Sequence, residues 1–170
     1  MYTEIDQSVG QARLPGLDDR THLPYCEAVV REALRIDTLV PSGIPHVATA
    51  DTELAGFQIP KGTLIINGLD YINHQEDVFP EPHTFRPERF LSDDGQQQQL
   101  ALEHDRSVPF GAGKRVCAGE SFARNALFLT LTTLVQQFTF SMEGRTPDPE
   151  QHLTGVIRTA PDFRIKFTAR

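Results

Sequence analysis

Proline divides the apolar residues of this 170-residue chain into windows. Seven of the twelve prolines lie between positions 41 and 109, whereas 25–40 and 110–146 hold none. A proline inside a helix removes a hydrogen bond and clashes with the preceding turn, so the two proline-free windows are where helices can run. The first helix is predicted to begin near Pro24, with capping side chains upstream at Asp19 to Thr21. Ala28, Val29, Ala33, Leu34 and Ile36 supply its apolar positions, and Pro41-Ser42-Gly43 ends the pattern. The second is predicted to start near Cys117 and run to about Gln137. Ala123, Ala126, Leu127, Leu129, Leu131, Leu134, Val135 and Phe138 make it apolar around most of its circumference, which predicts a buried helix.

Between the helices, Val47-Ala48-Thr49 and Leu54 to Ile59 read as short strands around Ala50-Asp51-Thr52. Pro60-Lys61-Gly62 reads as a turn and Thr63 to Ile66 as the returning strand. A short helical turn is expected from Asp70 to His74. From Phe79 to Phe90, three prolines in eight positions forbid helix and central strand, yet three Phe must pack against something. Ser92 to Arg106 is polar, carries Gln96 to Gln99, and reads as a surface insertion. Phe138, Phe140 and Met142 alternate with polar residues, as do Phe163, Ile165 and Phe167, which predicts a small closing antiparallel sheet. The expected class is α+β, mainly α, in one domain, with no internal repeat.

Composition narrows the function classes. Lys+Arg 16 against Asp+Glu 23 leaves a net charge of -7 and a pI near 5.3, which excludes a dedicated nucleic-acid binder. Two cysteines, Cys26 and Cys117, cannot build a disulfide scaffold and suit a reducing compartment. The longest near-apolar run, Ala126 to Val135, is ten residues with three Thr, too short to span a bilayer. The first residues have neither the basic start nor the apolar core of a signal peptide.

The stretch from Pro109 to Glu120 carries the candidate chemistry. A glycine-rich loop leads into a helix, with Cys117 at the junction. Glycines let the backbone approach a flat or charged ligand, while the helix N-terminus and the adjacent Lys114 and Arg115 favour a thiolate. A thiolate so presented serves a soft metal or a nucleophilic reaction. A dinucleotide fingerprint fails at Val116, and a phosphate-binding loop fails because Arg115 follows Lys114. Zinc lacks a second cysteine or paired histidines at ligand spacing. A cysteine nucleophile using one of six His, and a buried structural thiol, both stay open.

The spacing Phe110-x-x-Gly113-x-Arg115-x-Cys117-x-Gly119 resembles the haem-binding signature of the cytochrome P450 superfamily, the haem-thiolate monooxygenases. Glu32-Ala33-Leu34-Arg35 resembles the family's Glu-x-x-Arg helix motif, and Phe85-Arg86-Pro87-Glu88-Arg89-Phe90 its later aromatic-Pro-Arg segment. From spacing alone, Glu32 and Arg35 would make an exposed ion pair of about 0.3–0.5 kcal/mol. The resemblance implies instead a buried triad of Glu32, Arg35 and Arg89 beneath a haem. Leu23 to Val29 and Phe57 to Thr63 resemble the helix opening and hairpin of microsomal members.

The resemblance implies haem b, iron protoporphyrin IX, with Cys117 as proximal ligand and catalytic centre. Gly111, Gly113 and Gly119 would let the loop lie against the porphyrin, and Phe110 would pack near the sulfur. Arg115 would pair with a propionate, with His46 as a further contact. Ser42, Ile44 and Val156 would face the substrate. It further implies a monooxygenase using molecular oxygen on a lipophilic substrate such as a steroid, fatty acid or xenobiotic, at the cytosolic face of the endoplasmic reticulum membrane. Electrons would come from NADPH-cytochrome P450 reductase, docked on a face that includes Lys114. Residues 1–170 would then be the C-terminal segment of one domain, with the membrane-anchoring N-terminal segment and the oxygen-activating helix outside it. Activity is expected only in the complete chain. The alternative is a catalytically inactive haem-binding or interaction fragment. Either way, apolar surface on both long helices is expected to be left bare.

Overall fold

The computed structural model describes residues 1–93, 98–101, 105–148, 151 and 155–170. Helix α1 spans Tyr2–Ser8 and α2 spans Pro24–Ile36. Pro24 occupies the first turn of α2, where its missing N–H costs nothing. The cap lies elsewhere than predicted. The Glu4 carboxylate, on α1, accepts the backbone N–H groups of Tyr25 at 2.8 Å and Cys26 at 3.0 Å. Asp19 serves Arg13 and Gly16 instead, with bonds of 2.6–2.8 Å.

The Arg13 guanidinium, and after it the Gly16 N–H, hold the Asp19 carboxyl at about 2, below its ordinary 3.8. A carboxyl depressed by folding stabilises above its unfolded value and loses that contribution as pH falls through its folded one. Asp19→Asn is therefore expected to flatten the acid limb of the stability profile between about pH 4 and pH 2, read by far-ultraviolet circular dichroism. An acid limb identical to that of the unmodified chain would contradict the pairing.

The face that α2 buries is not the apolar stripe of the sequence. Ala33 is exposed, and Leu34 and Ile36 are half-buried, whereas Cys26, Ala28 and Val30 are buried together with Glu27, Glu32 and Arg35. Charges go inside because each finds a partner, Glu27 in Arg20 and Arg31 at 2.8 and 3.1 Å and Glu32 in Arg35 at 2.7 Å.

Strand β1 (His46–Val47) pairs with β4 (Leu64–Ile65), and β2 (Thr52–Leu54) with β3 (Phe57–Ile59), both antiparallel. The predicted strand from Leu54 to Ile59 is thus a hairpin. Ala55 and Gly56 turn it with φ of +52° and +85°, the left-handed backbone that a two-residue loop between twisted strands requires. Helix α3 (Leu69–Asn73) stands where a short turn was expected. Phe79 and Phe90 are buried at the ends of the irregular stretch, which includes a 3₁₀ turn at Pro87–Phe90, whereas Phe85 is exposed. Strands β5 (Leu91–Asp93) and β6 (Gln98–Leu100) form a hairpin within the predicted polar insertion. Buried Ala101 donates its N–H to the Phe90 carbonyl at 2.8 Å, so this end of the insertion is built into the fold. Its positions 94–97 and 102–104 lie outside the described residues.

Helix α4 runs Glu120–Gln137, three residues later than predicted at its start. It is not buried all round. Phe128, Thr132, Val135 and Gln136 form one buried stripe, joining Ile5, Leu23 and Cys26 in the core. Another flank stays open, with Phe122 80% and Leu127 43% exposed. The chain closes as expected with antiparallel β7 (Phe138–Met142) and β8 (Ile165–Ala169), where Phe140 opposes Phe167. Phe163 lies before the strand. Mixed helix and small antiparallel ladders make the class α+β.

Candidate functional site

The loop from Pro109 to Gly119 folds by its own backbone. Val108 C=O accepts the Gly111 N–H and Phe110 C=O accepts the Cys117 N–H, both at 3.0 Å. Gly111 and Gly113 take φ of +77° and +71°, a conformation that carries a penalty for any side chain. At Gly119 a Cβ would meet Cys117 Sγ at 3.8 Å, an ordinary contact, so the glycine lies beside the sulfur without being required by it. The Arg124 guanidinium stacks over the Phe110 ring at 5.2 Å, and its Nε donates to Glu120 at 2.8 Å.

The exposed Cys117 thiol opens into a groove of about 670 Å³, within the range of small-molecule and cofactor sites. Phe110, Gly111 and Arg115 line it from the loop, and Ala123, Ala126, Leu127 and Thr130 from α4. These four fall at helical spacing, so the open flank of α4 is one wall of the groove. Leu39, Ile44, His46 and Leu69 line the facing side. Ile44 is 64% exposed, and His46 is half-buried on β1. Among the described residues Arg115 has no ion-pair partner, and no hydrogen bond joins His46 to Cys117. Among the described residues a nucleophilic Cys117 thus has no histidine base bonded to it. Ser42 and Val156 do not line the groove. The loop of Val156 is nevertheless tied beside it, because Arg158 donates its N–H to Leu39 C=O and its guanidinium to both oxygens of Asp70 at 2.8 and 2.9 Å.

The other cysteine differs. Cys26 is fully buried, and burial pushes its thiol well above the ordinary value, so it is an inert core residue. Among the described residues no group of three or more His, Cys, Asp or Glu is placed to hold a metal ion. The donor set that remains is one thiol on apolar walls with an unpaired guanidinium at the edge. Such a set can offer one sulfur to a soft metal and a guanidinium to an anionic group, and so is compatible with a haem.

A charged cluster lies in the C-terminal half of α2. Glu32 and Arg35 are fully buried, and Arg35 donates Nε and Nη2 to the two carboxylate oxygens at 2.7 and 2.9 Å. Arg89 adds its Nε at 3.2 Å and Arg86 its backbone N–H at 2.9 Å. Burial draws Arg89 below the ordinary guanidinium range, with Glu32 opposing. The remaining N–H groups serve the end of α3 and the irregular stretch. Arg35 reaches the carbonyls of Asn73 and Pro82, and Arg89 those of Pro80, Glu81 and Thr84, at 2.7–3.3 Å. Beyond internal backbone bonds such as Thr84 N–H to Glu81 C=O and Arg89 N–H to Arg86 C=O, this proline-rich segment has carbonyls bonded by two arginines held on one carboxylate.

Sequence reasoning passed over Asn73 and the wall of α4. Asn73 carries no periodic signal, whereas the wall was present in the all-round apolar character of α4 but was read as core.

A profile of the Cytochrome P450 family matches residues 1–167. Cytochrome P450 2E1 of Oryctolagus cuniculus is 45% identical over 167 residues, covering 97% of this chain and 33% of that protein. Farnesoate epoxidase of Bombyx mori is 42% identical over 171 residues, covering 100% and 34%. Cytochrome P450 2D15 of Canis lupus familiaris is 42% identical over 149 residues, covering 88% and 29%. The chain spans about a third of the length of these curated relatives. Matched by the family profile over residues 1–167 and by relatives along almost all of its length, the chain belongs to the cytochrome P450 family.

Proposed function

We propose that residues 1–170 form the C-terminal segment of a single cytochrome P450 domain and supply the thiolate side of a haem-dependent monooxygenase. One observation carries this reading: the exposed thiol of Cys117 lies in an apolar groove together with an unpaired Arg115. Haem b, when bound, supplies iron for oxygen activation, which a thiolate ligand assists by favouring O–O cleavage. Cys117 Sγ is the ligand atom, held by the bond from its N–H to Phe110 C=O. Arg115 and His46 hold the carboxylates of the group. Gly111, Gly113 and Gly119 admit its face, and Phe110 packs beside the sulfur. Ala123, Ala126 and Leu127 exclude water from that face.

Ile44, with Ser42 and Val156 at the margin, faces a lipophilic substrate such as a steroid, fatty acid or xenobiotic. The exposed Lys114 belongs to the surface that receives electrons from NADPH-cytochrome P450 reductase. The proposed location is the cytosolic face of the endoplasmic reticulum membrane, reached through the N-terminal segment found in complete microsomal enzymes. Among the described residues, no helix is long and apolar enough to cross a membrane.

The open flank of α4 favours a second reading for the chain by itself, an inactive haem-binding or interaction fragment. Carbon monoxide difference spectra decide between them. The complete chain, reduced and loaded with haem, is expected to give the thiolate-type Soret band, and the 170-residue chain alone is not. A full band from the 170-residue chain would show that it needs nothing further to form the site. No band from the complete chain would remove the haem-thiolate reading.

A further inference from the structure

Asn73 ends α3 and is fully buried, yet every polar atom of its side chain is bonded. Its Nδ2 donates to Thr38 Oγ1 at 2.8 Å, and its Oδ1 accepts the backbone N–H of Val108 at 2.8 Å. The orientation of the amide is fixed by chemistry, because a backbone N–H can only donate and so must face the oxygen. The Asn73 carbonyl accepts Arg35 Nη1 at 2.7 Å, and Thr38 Oγ1 donates to Arg35 C=O at 3.1 Å. Asn73 therefore joins the end of α2 to the chain leading to the cysteine loop through its side chain, and touches the buried charge cluster through its backbone carbonyl.

The connection continues toward the thiol. Residue 109 is proline and has no N–H, so the Val108 amide is the last backbone donor before Phe110. Val108 C=O then accepts Gly111 N–H, and Phe110 C=O accepts Cys117 N–H. Whatever fixes Val108 fixes the turn whose far side carries the sulfur.

We propose that Asn73 is a positioning residue for Cys117, clamping the cysteine loop to the Glu32–Arg35 cluster through Val108. The clamp deepens the proposed haem-thiolate reading, but its structural half stands without a bound group. Amide exchange in the chain tests that half. Asn73→Leu is expected to speed exchange at the Gly111 and Cys117 amides about tenfold relative to the amides of α2. Asn73→Asp keeps an oxygen for Val108 and lets the Thr38 hydroxyl turn to donate, so it is expected to restore the native rate. Thr38→Val leaves the bond to Val108 and is expected to leave the cysteine loop unchanged. Val108→Pro deletes the donor and is expected to reproduce Asn73→Leu, which decides the matter if the leucine variant does not fold.

In the haem-loaded complete chain, Asn73→Leu is expected to shift the carbon monoxide complex from the thiolate-type band toward the neutral-thiol form, with Asn73→Asp restoring it. The clamp is overturned if Val108→Pro leaves Cys117 exchange at its native rate. It is equally overturned if Thr38→Val loosens the loop as much as Asn73→Leu does. Absence of any thiolate-type band in the unmodified complete chain sinks the haem reading, whereas the exchange measurements continue to judge the clamp.

Discussion

Glu32→Ala is expected to destabilise the chain by about 3–5 kcal/mol, a large share of the roughly 5–15 kcal/mol that holds an ordinary domain together. The carboxylate is fully buried and accepts Arg35, Arg89 and the Arg86 N–H. Removing it leaves a guanidinium with no accessible surface facing an alanine, and an unpaired buried charge is far costlier than the pair was worth. The loss also spreads, because the arginines hold the carbonyls of Asn73, Pro80, Glu81, Pro82 and Thr84 only while Glu32 aims them. For the same reason, swapping the whole cluster for apolar residues would not be neutral here, since those carbonyls would lose their donors. Glu32→Gln keeps one oxygen and presents an NH₂ to a guanidinium, so its loss is expected to be intermediate. Urea denaturation measures both, with Arg86→Ala as a control because its backbone N–H remains. A midpoint for Glu32→Ala within error of the unmodified chain would falsify the claim that this cluster holds the fold.

The second large effect is chemical. Cys117→Ala in the complete enzyme is expected to abolish the thiolate-type carbon monoxide band and reduce monooxygenase turnover to background. An alanine offers no ligand, and Cys117→Ser offers only a hard oxygen in place of a soft sulfur. Cys117 is exposed in the 170-residue chain, so there either change is expected to alter stability by no more than about 0.5 kcal/mol, which separates loss of the ligand from misfolding of the segment. Cys26→Ala is the mirror case, removing a buried thiol from the core while leaving the spectrum intact. Turnover retained by Cys117→Ala would reassign the ligand.

The parts of this fold written in local sequence were readable, and those written across it were not. Pro24 and Pro41 bracket α2 within a few residues, and the glycines of the cysteine loop announce backbone that other residues avoid. The Glu32-x-x-Arg35 spacing is visible, but its burial is not, because that depends on Arg89 57 positions away and on the carbonyls of a segment without regular structure. The cap on α2 comes from Glu4, 21 residues upstream of Tyr25, where no local pattern points. The turn at Ala55-Gly56 was missed because Leu54 to Ile59 reads as one run, and alanine is a poor signal for left-handed backbone. The start of α4 lies at Glu120 rather than Cys117, because Cys117 to Glu120 closes a tight turn, with Glu120 N–H on Cys117 C=O at 3.2 Å, before the helix begins. The open flank of α4 misled in another way, since composition cannot tell a helix that faces core from one that faces a ligand groove.

The core unites Ile5, Leu23 and Cys26 with Phe128 and Val135. About 100 residues separate its two halves, and a ribosome adds roughly 5–20 residues per second. The early half therefore leaves the ribosome roughly 5–20 seconds before its partner exists. During that interval Leu23 and Cys26 lack their partners on α4, and the charge cluster cannot close until Arg89 has followed. Synthesis of this chain is a period of deferred assembly, governed by the arrival of α4.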